Sequence, residues 1–228
     1  MQIPLLNLKK QYKEIEDEIK QVVTAVLKKG RYILGKELSQ FEEEMAQYCN
    51  VKHALGVASG TDALLLSLQA IGVGKGDEVI VPTFSFIATA NVVARLGAKI
   101  VFVDIDPETY NLDLNNIESK ITKNTKAIIP VHLYGRPAPM KELHKITKKY
   151  GISIIEDACQ AVGAEYKGEK VGNFGQAAAL SFFPSKNLAC FGDGGMVLTN
   201  SKIIADKIKK LRAHGAEKKY FHEKIGYN

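Results

Sequence analysis

From His53 to Asp157 the sequence repeats one alternation: a short run that is apolar throughout, then a segment with helical spacing. The runs "ALGVAS", "EVIVP", "KIVFVD", "KAIIPV" and "ISIIED" are separated by "TDALLLSLQAIG", "IATANVVARLG", "LNNIESKI" and "PMKELHKITKKYG". Strands without polar alternation must be covered on both faces, and the helices between them supply the cover. The pattern predicts an α/β fold built on a largely parallel sheet. "AAALSFF" and "GGMVLT" read as two further strands with no helix between them, so part of the sheet is expected to be mixed. Lys186 falls in their connection.

Two helices precede this pattern. "LKKQYKEIEDEIKQVVTAVLKKG" sets Tyr12, Ile15, Ile19, Val22 and Val26 three or four apart and ends on Gly30, a C-cap residue. A second helix, with Leu38, Phe41, Met45 and Tyr48 on its apolar face, follows the linker "RYILG". The expected organisation is an N-terminal helical segment over residues 1–50 and an α/β domain over 51–228.

At 228 residues and 46% hydrophobic content the chain can bury one large core. No apolar run approaches the roughly 20 residues that cross a bilayer, and "MQIPLLNLKKQYKEIE" lacks the apolar centre of a signal peptide, which predicts a cytoplasmic protein. Cys49, Cys159 and Cys190 are odd in number and form no CxxC pair, and the five histidines form no HExxH. Neither a disulfide framework nor a metal site is expected. The net charge of +6 gathers in residues 201–228, which hold eight Lys or Arg against three acids. No groove-reading motif accompanies it. "SKIIADKIKKLRAHG" puts Ile203, Ile204, Ile208 and Leu211 on one side, so a solvated helix face is expected rather than a nucleic-acid surface.

In an open α/β sheet, ligands gather beyond the carboxyl ends of the strands. Residues 59–61, 83–86 and 157–160 all follow predicted strands and should line one crevice. The turn through Ser59, Gly60 and Thr61 either caps a helix or binds an anion such as phosphate. "GVGKGDE" lacks the full P-loop spacing, and no strand feeds it. Glu156 and Asp157 close a strongly apolar strand, where an unpaired carboxylate is costly. Asp157 is thus a cap, a lysine partner, or the carboxylate that holds a protonated cofactor ring nitrogen. Lys186 is a solvated cation or, if desolvated, a nucleophile able to form a Schiff base. Taken in order, a phosphate turn, Phe84 and Phe86, a carboxylate, and a lysine before a glycine turn are what pyridoxal phosphate requires.

The same residues carry a family resemblance. "IPLLNLKKQY", "GRYILGKELSQFEEEMAQY", "SGTDALLLSL", "GDEVIVPTFSFIATA", "VFVDIDPETYNLD", "IIEDACQAVGA", "SFFPSKNL", "GDGGMVLT" and "HEKIGYN" resemble, in order, motifs of the DegT/StrS nucleotide-sugar aminotransferases, closest to the branch acting on 3-keto sugars. The resemblance implies the large domain of the type I pyridoxal-phosphate fold. It implies that Lys186 forms the Schiff base and shuttles the proton, that Asp157 pairs with the pyridine nitrogen, that Phe86 stacks on the ring, and that Gln160 lies near the ring hydroxyl. Gly60, Thr61 and Ser181 would hold the phosphate, and Asn228 would reach the phosphate of a neighbouring subunit in a homodimer. The implied substrates are a nucleotide-linked keto sugar and an amino-acid donor, glutamate. Family members continue past "GYN" into a smaller C-terminal domain, so residues that enclose the sugar are expected outside this sequence.

Three other functions share parts of the pattern. Sugar dehydratases of similar sequence carry a histidine at the Lys186 position. A non-catalytic regulatory protein could keep the fold, and a dinucleotide-binding domain would need GxGxxG after its first strand. Tyr32, His132 and Tyr134 lie either near the substrate or in ordinary packing.

Overall fold

The computed structural model describes residues 3–218 and 220–228. Helices α1 (Leu8–Lys29) and α2 (Lys36–Tyr48) lead into β1 (His53–Val57), α3 (Gly60–Ala70), β2 (Glu78–Pro82), α4 (Ala88–Arg95) and β3 (Lys99–Val103). The single turn α5 (Leu114–Ile117), β4 (Thr125–Ile128), α6 (Met140–Tyr150) and β5 (Ser153–Asp157) follow. A hairpin of β6 (Glu165–Tyr166) and β7 (Glu169–Lys170) precedes β8 (Ala177–Ser181), β9 (Gly195–Thr199) and α7 (Lys202–Leu211). A second hairpin joins β10 (Ala216–Lys218) to β11 (Phe221–His222).

Seven strands form one sheet in the order β1-β9-β8-β5-β4-β2-β3. β9 runs antiparallel to β1 and β8, and the remaining pairs are parallel. The expected mixed sheet is present, and its one reversal comes directly after the Lys186 connection. The apolar runs fill both faces through the two-residue period of a strand. Val79, Val81, Ala177, Ala179 and Val197 join a core with α3, α4 and α7. Ile80, Ile128 and Ile154 pack with Met140 and Leu143 of α6, while Leu180, Met196 and Leu198 pack with Met45 of α2. Ala63 to Leu68 of α3 are all buried, as befits a helix held between a sheet and two further helices.

The first helix ends as expected. Gly30 is left-handed at φ 66°, and its N–H donates to the carbonyls of Val26 and Leu27. Yet α1 buries no residue, and Val22, Val23 and Leu27 are each half-exposed. Two other helical expectations need correction. "LNNIESKI" makes one α-turn and then a 3-10 turn at Glu118–Lys120, because Asp113 takes the Asn115 N–H and the Asn116 side-chain amide, and asparagine favours such local bonds over helix. In α7, Ile204, Ile208 and Leu211 are buried, but Ile203 is 70% exposed, since adjacent helical residues point about 100° apart. Lys207 uses its Nζ to hold the Ala70 carbonyl at the end of α3. The β6–β7 turn, not foreseen, has left-handed Lys167 and Gly168, the pair that a tight two-residue hairpin demands. Among the described residues, no helix is long and apolar enough to cross a membrane.

Candidate functional site

The strand ends, the α3 N-terminus and the β8–β9 connection enclose a cavity of about 380 Å³. Gly60, Thr61 and Ser181 line one part of it. Asp157, Gln160, Phe86 and Lys186 line the rest, so the three separated segments do meet in one crevice.

The anion end is built by capping. Ser59 accepts the Asp62 N–H on its hydroxyl at 3.1 Å and the Ala63 N–H on its carbonyl at 2.9 Å. The amides of Gly60 and Thr61 are thereby left without an intrahelical acceptor, beside the Ser181 hydroxyl. A Cβ on Gly60 would lie 2.7 Å from Ser181 Cβ and 2.8 Å from Cys159 Sγ, so a side chain there would fill the cradle. The fixed donors and the open space together suit a phosphate.

Asp157 sits at the end of β5, 6% exposed. Its Oδ2 accepts from the Thr89 hydroxyl at 2.8 Å, and its Oδ1 from the Cys159 N–H at 3.2 Å. Asp157 makes no ion pair among the described residues, so the lysine-partner alternative is not realised among them. Lys186 is half-buried, with its backbone N–H on the Phe183 carbonyl, and its ammonium makes no ion pair among the described residues. Burial holds the Cys159 thiol well above the usual thiol range, Asp157 adds to the shift and Lys186 opposes it. The thiol therefore favours its neutral form, and Lys186 lines the same cavity.

Phe86 is 69% exposed at the mouth, while Phe84 packs on Tyr110 with ring centroids 5.8 Å apart. Gln160 lines the cavity and accepts the Tyr134 N–H on Oε1 at 3.1 Å, which leaves its NH2 group as a donor. Tyr134 itself is left-handed, at φ 54°. Asn228 is not in the cavity. It lines an adjoining groove of about 1130 Å³ with Arg31 and Tyr227, and Asp193 and Gly194 form the shared wall.

His132 is fully buried. Its Nδ1 accepts the Ala138 N–H and its Nε2 donates to Glu156 Oε2 at 3.0 Å, so it is a packing residue and does not face a substrate. Glu156, also fully buried, is satisfied further by the N–H groups of Gly172, Phe174 and Gly175. Tyr32 lies outside the cavity, with its hydroxyl on the Leu27 carbonyl. "GVGKGDE" forms the turn before β2, where Asp77 takes the Gly74 N–H. Ser85 falls within the expected segment 83–86, but sequence reasoning missed Thr89, since a lone hydroxyl at a helix start carries no distinctive signal.

The sequence pattern of the DegT/DnrJ/EryC1/StrS aminotransferase family matches residues 13–228. The chain belongs to that family. Among its DegT/DnrJ/EryC1/StrS relatives, a "pleiotropic regulatory protein" of Geobacillus stearothermophilus is 49% identical over all of this chain and 61% of its own length. A "UDP-2-acetamido-2-deoxy-3-oxo-D-glucuronate aminotransferase" of Pseudomonas aeruginosa is 48% identical over 99% of this chain and 63% of its own. The crystal structure of S. venezuelae DesV in complex with a ketimine intermediate superposes with a TM-score of 0.96 at 46% identity, covering 99% of this chain and 61% of that one. The chain thus spans about three-fifths of the length of these relatives.

Proposed function

We propose that the chain is the cofactor-binding part of a pyridoxal-phosphate-dependent aminotransferase that passes an amino group from glutamate to a keto-sugar nucleotide, in amino-sugar biosynthesis. The observation that carries this proposal is the meeting of a primary amine, Lys186, and a carboxylate, Asp157, in one cavity that ends on free helix N-terminal amides. Family membership supports the cofactor, and the 3-oxo sugar in the name of the P. aeruginosa relative supports a 3-keto substrate.

When bound, pyridoxal phosphate supplies a carbonyl for an amine and a cationic ring that takes up the electrons of a carbon losing its proton. The chain supplies the rest. Lys186 is the nucleophile and the carrier of the transferred proton. Asp157 holds the ring nitrogen, and the amides of Gly60 and Thr61 with the Ser181 hydroxyl hold the phosphate. Phe86 covers the ring face, and the Gln160 NH2 reaches its hydroxyl. Asn228 and the exposed stripe of α1 support a homodimer with a shared site: Asn228 lies beyond its own cavity wall, and Val22, Val23 and Leu27 are half-exposed among the described residues.

The relative named as a regulatory protein keeps a second function in view, but regulation gives a free amine opposite a buried carboxylate no task. The experiment is to treat full-length protein with pyridoxal phosphate and borohydride. A covalent label on Lys186 is expected, and its absence sinks the proposal. Glutamate with a panel of 3-keto and 4-keto nucleotide sugars then identifies the acceptor, and a regulator would aminate none.

A further inference from the structure

Asp157 has a support that comes from a separate element, α4. Thr89 lies in α4, 68 positions away in sequence and 2% exposed. It gives its one hydroxyl proton to Asp157 Oδ2 at 2.8 Å. The same hydroxyl lies 2.8 Å from Ser85 Oγ. Since the Thr89 proton is already committed, Ser85 must be the donor in this second bond. The chain of bonds therefore has one direction: Ser85 to Thr89 to Asp157. Ser85 is half-buried and lines the cavity, so the relay runs from the cavity wall, through a buried hydroxyl, to the carboxylate.

We propose that Thr89 is a positioning residue that fixes the Asp157 carboxylate for a cationic ring nitrogen, with Ser85 fixing Thr89 in turn. A carboxylate turns freely about its last bond unless both oxygens are held. Here Oδ1 is held by the Cys159 N–H and Oδ2 by Thr89, and each oxygen keeps a lone pair for a ligand. The charged and titratable groups around this carboxylate are Lys186, Cys159 and Asp193 lining the cavity, and the Glu156–His132 pair on the opposite face of β5. That pair is closed on itself, so Thr89 is the hydroxyl that sets the orientation.

The inference rests on the cofactor assigned above, and its test separates the two. Pyridoxal phosphate is titrated into full-length apoprotein by absorbance, for the native protein and for Thr89→Val, Thr89→Ser and Ser85→Ala. If the native protein binds no cofactor, the functional proposal fails. If it binds, Thr89→Val, which keeps the shape and removes the hydroxyl, should weaken binding about tenfold and shift the visible band of the lysine-bound cofactor. Thr89→Ser, which keeps the hydroxyl and removes a methyl, should stay within about threefold of native, and Ser85→Ala should fall between them. A packing role predicts the reverse order, with valine tolerated and serine harmful. Thermal melting reports whether each variant folds, and if Thr89→Val does not, Ser85→Ala alone decides. Native affinity and an unshifted band in Ser85→Ala and in every folded Thr89→Val sample overturn the inference.

Discussion

Gly195 and Ser59 approach so closely that a Cβ on Gly195 would stand 2.2 Å from the Ser59 carbonyl carbon and 2.6 Å from the Gly60 nitrogen. The start of β9 therefore lies directly against the cradle at the α3 N-terminus. Gly195→Ala must push the two apart. The expected cost is about 3 kcal/mol in urea denaturation, with at least a tenfold loss of cofactor affinity. A variant of native stability and affinity would show that the cradle tolerates displacement.

Glu156 holds three backbone N–H groups and His132 with one buried carboxylate. Glu156→Gln replaces an acceptor oxygen with an NH2 that must face one of those donors. The folded state should lose about 3 kcal/mol, measured by chemical denaturation, although the change removes no bulk.

Arg212 bridges α7, α2 and β1 by donating to Glu42 Oε1 and to the Gly56 carbonyl, while the Gly56 N–H donates to the same Glu42 oxygen. The two side chains are 13% and 15% exposed. A double-mutant cycle of Glu42→Gln and Arg212→Met should return a coupling of about 1–3 kcal/mol. A value near zero would mean that the pair behaves like a solvated one.

Burial pushes the Cys49 thiol from 9.0 up to about 11, with Lys170 opposing the shift. The unfolded chain loses this proton first as pH rises, so the contribution of Cys49 to stability is complete below 9.0 and is lost as pH climbs through about 11. The denaturation midpoint of native protein should fall more steeply across that window than the midpoint of Cys49→Ala. Parallel curves would show that the thiol titrates alike in both states.

Much of this was legible in the chain itself, for physical reasons. Short apolar runs alternating with helical spacing placed all seven sheet strands, although β3 at the sheet edge leaves Phe102 51% exposed rather than covered on both faces. Lys186 and Asp157, each ambiguous alone, stood out through their order with the Ser59–Thr61 turn and Phe84 and Phe86. Thr89 did not stand out, because its partner lies 68 positions away in sequence and a threonine in the first turn of a helix is ordinary. His132 was ambiguous for a similar reason, since only Ala138 and Glu156 reveal that both ring nitrogens are spent. The β6–β7 hairpin was missed because two-residue strands carry no readable alternation.

The strand that reverses the sheet also governs when the site can exist. β1 pairs with β9 alone, and Val57 meets Gly195 across 138 positions of chain. Bringing such distant segments together is slow, because the chain gives up loop entropy before any contact rewards it. A growing polypeptide can form β2 to β5 and set Asp157 in place while the cradle still has no second wall. Only after residue 199 has joined the sheet are Ser59, Ser181 and Lys186 held together. A chain stalled before β9 should therefore leave pyridoxal phosphate free in solution.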